Sequence, residues 1–252
     1  KTVALSAKLS YYNRVMRDMN KRPKIVKTED GTKKWYLNGV YHREYGPAVE
    51  FPSGHREWWV NGKLHREDGP AIEQADGTKE WWVNGVKHRE EGPAVEWAIG
   101  TKEWWFNGKL HREDGPAVEN YNGTNHWFLN GKMHRVGGPA TERTNGDKYW
   151  YVNGTRHRED GPAIVREEDG YKAWYLNGVY HRKDGPAEEF ACGSKQWWSN
   201  GKLHREDGPA IERANGSMIW YLNGKKHRTD GPAVEYVSGS KQYWLNGKKV
   251  KF

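Results

Sequence analysis

A series of Asn-Gly dipeptides begins at Asn38, Asn61, Asn84, Asn107, Asn130, Asn153, Asn177, Asn200, Asn223 and Asn246, every 23 residues apart from one interval of 24. A period this strict marks a repeat array, in which one supersecondary unit is copied and stacked, and it settles the architecture ahead of any residue propensity. The unit reads basic-x-Trp-aromatic-x-Asn-Gly-x-x-His-Arg-x-Asp-Gly-Pro-Ala-x-Glu, with a second Gly a few residues on. Nine copies are complete; the tenth carries Val250 and Lys251 where His and Arg would stand.

Glycine placement converts the period into turns. Of 30 Gly, ten follow the Asn of this series, nine precede Pro and ten lie in a second turn such as Gly31, Gly54 and Gly77, so that Gly137 alone is left over. Asn-Gly between aromatic and β-branched residues predicts a type I′ hairpin, because both residues accept positive φ. Reversals at both ends of each strand predict an all-β chain, an elongated antiparallel β-meander or solenoid of about ten hairpin repeats. Gly or Pro recurs too often for helices there. At ~4.8 Å per strand, about twenty strands would run roughly 95 Å if straight.

Register follows if Pro52-Ser53-Gly54 is a three-residue loop. Glu50 then faces Arg56, Ala48 faces Trp58, and Pro47 faces Trp59. The same offset sets Glu73 against Lys79, Glu96 against Lys102, Glu142 against Lys148, Glu189 against Lys195 and Glu235 against Lys241. Such cross-strand charge pairs contribute about 0.2–1 kcal/mol each. Glu119 meets Asn125 and Glu212 meets Met218 instead. Val165 replaces the usual Glu beside one extra residue, where a β-bulge is expected. Val136-Gly137 and Ser199 are further departures, each read as drift or as a binding spot.

Residues 1–29 differ from the rest. Leu5, Leu9, Tyr12, Met16 and Met19 recur at the spacing of an amphipathic helix, which would end before Pro23 and cap the array. This segment holds eight Lys or Arg against two acidic residues, whereas residues 30–252 hold 33 against 31. The basic surplus therefore belongs to the N-terminal segment, Arg14 and Arg17 included, and not to the repeats. A single cysteine excludes an internal disulfide framework, and no run approaches the ~20 apolar residues of a membrane span, so a cytoplasmic location is expected.

The stretch from Trp59 to Gly77 resembles the MORN repeat, whose units are β-hairpins with an aromatic strand, a turn, and a Gly-Lys-x-His run closed by Asp-Gly. His65 matches the His of that pattern, while Arg66 stands where Gly is usual and Gly69 is displaced by one residue before Pro70-Ala71. The match is nearest to divergent variants in bacterial and viral proteins, some of them antitoxin-like, and it spans residues 30–252. It implies a curved sheet of hairpins that binds proteins or membranes.

Candidate binding residues fall into two ladders. The His-Arg pairs, exemplified by His65-Arg66 and His111-Arg112, could hold an anion; alternatively they brace the turn before Asp-Gly-Pro. The aromatic ladder, exemplified by Trp58, Trp81, Trp104 and Trp197, could stack bases or sugars; alternatively it forms a thin core over the Ala residues. Equivalent His residues should lie roughly 9–10 Å apart, too far for shared zinc ligation. No metal, cofactor or catalytic motif is expected, since an active site needs one asymmetric cluster and every candidate here is one of a row. His55 and His126, outside the pattern, are expected to face solvent. The reading is a non-enzymatic binding protein whose partner is another protein, a host or defence factor if the source is viral or bacterial. The alternative is binding of nucleic acid, nucleotide or another anion through the basic segment and the Trp, His and Arg ladders, with a membrane surface third.

Overall fold

The computed structural model describes residues 23–251, and among them every regular element is a short antiparallel strand. The expected helix over residues 2–20 lies outside the described residues. The first strands show the plan: β1 (Lys24–Lys27), β2 (Lys33–Leu37), β3 (Val40–Tyr41), β4 (Val49–Glu50), β5 (Arg56–Glu57), β6 (Trp59–Val60), β7 (Lys63–Leu64) and β8 (Ile72–Glu73). β1 falls within the basic segment yet pairs with β2, Lys27 facing Lys33, so the ladder already begins there.

The chain forms two compact units, Lys1–Leu110 and His111–Phe252. In the first, β1, β2, β4, β5 and β8 follow one another in an antiparallel ladder that continues through Lys79–Glu80, Val95–Glu96 and Lys102–Glu103. In the second, the same ladder runs from Val118–Glu119 to Lys241–Leu245. The register read from the sequence holds: Glu50 faces Arg56, Glu73 faces Lys79 and Glu235 faces Lys241. The ten periodic Asn-Gly turns are as expected, with each of their Asn residues at φ between 49° and 52° and a following Gly that is also positive.

The strands are not the continuous members of a simple meander. β5 pairs with β4 and β8, but at Trp58 the chain changes partners. The Trp58 N–H donates to the Ala71 carbonyl at 2.8 Å, and its carbonyl accepts from His65 at 3.0 Å. Beyond it, β6 and β7 form a separate hairpin around Asn61-Gly62. Pro70 has no N–H to extend the ladder past Ala71, which is why the switch recurs in each repeat. Ala48 is likewise bonded to Trp35 of its own repeat at 2.8 Å. Ladder pairing stops at Val49–Glu57, so the expected Ala48–Trp58 and Pro47–Trp59 pairs do not form part of it.

One line of bonds joins each repeat to the next, and a second joins some of them. The Asn61 N–H donates to His42 Nδ1 at 3.1 Å, and the same bond recurs from Asn84 to His65, through Asn130 to His111, to Asn246 and His227. At the other turn, Thr78 Oγ1 accepts from the Ala98 N–H, Ser194 from Ala214 and Ser217 from Val237. The core is thin. Each Ala of the Gly-Pro-Ala motif is fully buried, and the largest fully buried side chains are only Val and Thr. The bulge expected at Val165 is absent from the ladder: Val165 faces Lys172 in register, and the extra residue is taken up in the turn closed by Arg166 and Tyr171.

Candidate functional site

Each His-Arg pair is held by bonds within the fold. Arg66 lies flat over Trp58, its Cζ 4.1 Å from the ring centroid. One amino group donates to the Pro70 carbonyl and to Glu73 Oε1, both at 3.1 Å, and Nε donates to Asp68 at 2.8 Å. A Cβ on Gly69 would sit 2.9 Å from the guanidinium carbon, so the glycine before Pro is the seat of the arginine. The same cage surrounds Arg89 over Trp81 and Arg205 over Trp197. Arg112 donates to Pro116, Glu119 and Asp114.

This cage corrects the origin of the repeated Glu. Arg56 does stand opposite Glu50, but the Glu50 carboxylate is bound by Arg43 at 2.9 Å and by Lys33 at 3.5 Å, while Arg56 reaches the next Glu, Glu73, at 3.8 Å. Arg158 shows the converse: Val165 replaces its Glu, and it keeps only Trp150, Pro162 and Asp160. The arginine bonds hold Asp68, Asp114, Asp160, Asp207 and Asp230 below the usual carboxylate range, the direct hydrogen bond being the largest cause.

The candidate residues accordingly sit within the fold more than on it. His65 and His111 use Nδ1 as the acceptor for the next turn, which places the ring proton on Nε2. Trp58, Trp81, Trp104 and Trp197 are half-buried. Arg14 and Arg17 lie outside the described residues. His55 and His126 do not simply face solvent. Both are half-buried, His55 bonding Glu57 at 2.9 Å and His126 bonding Thr141 at 3.1 Å, and burial pushes the His126 imidazole below its ordinary value.

One asymmetric cluster interrupts the second unit. Glu188, almost fully buried, occupies an inward position that holds Val or Ile in most repeats. The Tyr171 hydroxyl donates to it at 2.6 Å and lies 3.4 Å from the Tyr180 hydroxyl. Burial first, then the hydrogen bond to Glu188, pushes the Tyr171 hydroxyl far upward. A phenol so held is a donor and not a general base. Trp198 Nε1 is buried nearby in sequence with no hydrogen-bond partner; the equivalent nitrogens of Trp59, Trp82 and Trp105 donate to Glu57, Glu80 and Glu103.

Among the described residues no group of His, Cys, Asp and Glu could hold a metal ion, and no helix is long and apolar enough to cross a membrane. No family model matches the chain, and no curated protein is significantly similar to it.

What the sequence reading missed is the surface between successive His-Arg loops. In the first unit a cleft of about 580 Å³ lies between the loops of Arg43 and Arg66, and one of about 820 Å³ between those of Arg66 and Arg89. In the second unit, clefts of about 530 and 620 Å³ follow Arg112 and Arg205. Each has an apolar floor, such as Trp81, Val83 and Pro70, and a carboxylate rim, such as Glu67 and Asp68. The loop positions that face solvent most fully are these carboxylates, together with Tyr45 at 90% exposure and Val136 at 87%. Tyr45 could have been found: it is the aromatic residue at the acidic position of the His-Arg-x-Asp-Gly-Pro motif.

Proposed function

We propose that this MORN-like array is a non-enzymatic binding protein that captures a partner protein at the clefts between successive His-Arg loops. The observation that carries this reading is the division of labour in the loop of Arg66 and most of its equivalents, the Val136-Gly137 loop being the exception without a carboxylate. The cation is enclosed by Trp, a Pro carbonyl and Glu, while the residues offered to solvent are carboxylates beside an apolar floor. A surface of apolar floor and polar rim matches the anatomy of protein interfaces. It is also the wrong sign for phosphate. The nucleic-acid alternative keeps its support from the basic segment, with Arg14 and Arg17, and loses the ladders: His Nδ1 is occupied, and the first Trp of each pair lies under Arg.

Two measurements test it. The chain is used as bait in an extract of its native host, and each captured protein is purified and titrated against it; the reading expects saturable binding that survives physiological salt. In parallel, a single-stranded oligonucleotide is titrated at two salt concentrations against the wild type, Arg14→Glu/Arg17→Glu and Trp81→Ala. Weak binding that vanishes in the double variant and with salt, as phosphate contacts do, is the expected result. Tight binding at physiological salt that Trp81→Ala weakens would overturn the reading, because base stacking of about 1–3 kcal/mol per base would then be at work.

A further inference from the structure

We propose that the cleft between the loops of Arg43 and Arg66 docks a Lys- or Arg-rich segment of the partner protein, with Tyr45 as its anchoring ring. The inference rests on the capture function above and names the chemistry of its partner.

The cleft is distinguished by its lip. Its floor is Trp58 and Val60, and its rim carries Glu44, Glu67 and Asp68. Of the two cations beside it, Arg43 is bound to Glu50 and Arg66 to Glu73. The carboxylates of Glu44 and Glu67 are 67% and 86% exposed, and their ion-pair partners among the described residues are His nitrogens at 3.9 and 3.7 Å. The rim is therefore negative toward solvent. Elsewhere the residue two places after Arg is Asp or Glu, apart from Gly137, and in several repeats that Asp bonds the Arg Nε. Here it is Tyr45, 90% exposed. An aromatic face beside carboxylates attracts a cation twice, through the ring quadrupole and through charge. Tyr is also among the residues that dominate interface energetics when a partner covers them. An apolar floor takes the aliphatic stem of Lys or Arg while the charged head reaches the rim. Charge complementarity thus commits the cleft to a basic polypeptide and disfavours a nucleic acid.

The test uses the full chain and a short fluorescein-labelled Arg-Gly repeat peptide, with a labelled Glu-Gly peptide of equal length and a labelled single-stranded oligonucleotide titrated separately. Fluorescence anisotropy should show saturable binding of the Arg-Gly peptide that its unlabelled copy displaces, and much weaker binding of the other two. Tyr45→Ala should weaken it about fivefold while Tyr45→Phe retains it, and Glu67→Lys should weaken it about tenfold. Glu206→Lys, in an equivalent loop of the second unit, should leave it unchanged. All three side chains are exposed, so the melting curves of the four variants should coincide with that of the wild type. Binding unaffected by Tyr45→Ala and Glu67→Lys, or weakened as much by Glu206→Lys, overturns the proposal, as does oligonucleotide binding that is equally tight and equally sensitive to Tyr45→Ala. A purified partner that binds wild type and Tyr45→Ala equally would sink the cleft and leave the capture function standing.

Discussion

Gly69→Ala is the sharpest probe of the arginine cage, because its sign should depend on Arg66. Gly69 is not at positive φ, so alanine is compatible with the backbone, and only the guanidinium stands in its way at 2.9 Å. Carbon contacts settle near 3.5–4.0 Å, so the arginine must retreat by about 0.5–1 Å. That movement strains its bonds to Pro70 and Glu73 and lifts it from Trp58. Charge-assisted bonds are worth roughly 1.5–3 kcal/mol and cation–π contacts about 0.5–2, and the Arg66 and Glu73 side chains are only 21% and 31% exposed. A partial loss puts Gly69→Ala at about 1–2 kcal/mol destabilising. In an Arg66→Ala background the obstacle is gone, and alanine's smaller unfolded-state entropy should make the same change neutral or stabilising by about 0.5 kcal/mol. The assay is urea denaturation followed by far-UV circular dichroism for wild type, both single variants and the double, fitted with a nearest-neighbour repeat scheme because an array need not unfold in one step. Additivity within about 0.5 kcal/mol would refute the cage. Gly92→Ala in an Arg89→Ala background is the control: with φ at 102° it should remain destabilising.

Three further outcomes are expected. His65→Ala should cost about 1 kcal/mol by giving up the bond from the Asn84 N–H to solvent, and amide exchange at Asn84 should accelerate more than at Asn223, whose His204 is untouched. Val165→Glu should stabilise the chain by about 0.5–1 kcal/mol in the same urea assay, since it gives Arg158 the carboxylate that Glu73 gives Arg66; no gain would mean that Glu contributes nothing to the cage. For His126, burial depresses the folded-state value, so the unfolded chain binds the proton more readily. Its contribution is present above about pH 6.5 and is lost as pH falls from there toward the folded-state value. His126→Gln should therefore flatten the decline in melting temperature between about pH 7 and 5, and an unchanged slope would discard that account.

Much of the local geometry was legible because it depends on neighbours in sequence. Asn-Gly states its own turn type, and Pro52-Ser53-Gly54 fixes the register from Glu50–Arg56 onward. Bonds between distant residues were legible only as constancy. Arg66 and Glu73 stand seven apart in nearly every repeat, and so do their equivalents, but the facing Lys79 offered a competing explanation for the same Glu. His65 and Asn84 keep a spacing of 19, which says that they are related without saying that one accepts from the other. The branch at Trp58 was hidden for a similar reason: two aromatics in a row read as one continuous strand, and only the missing N–H of Pro70 hints that pairing must stop. Site residues were hardest. The recurrent side chains drew the eye, whereas the surface exposes the variable ones, Tyr45 and Val136.

The recurrent bonds between neighbouring repeats join a residue to a fixed position one copy further on: His181 to Asn200, His204 to Asn223, Ser194 to Ala214. Excision of a whole copy, such as residues 195–217, therefore brings together ends that already fit, with His181 presented to Asn223 and Ser217 replaced by Ser194 before Val237. Copy number is thus a free variable for the gene that encodes such a chain: unequal recombination can lengthen or shorten it in frame without disturbing any joint. A change of one or two residues inside a copy is tolerable only where it can be swallowed by a turn, as between Arg166 and Tyr171.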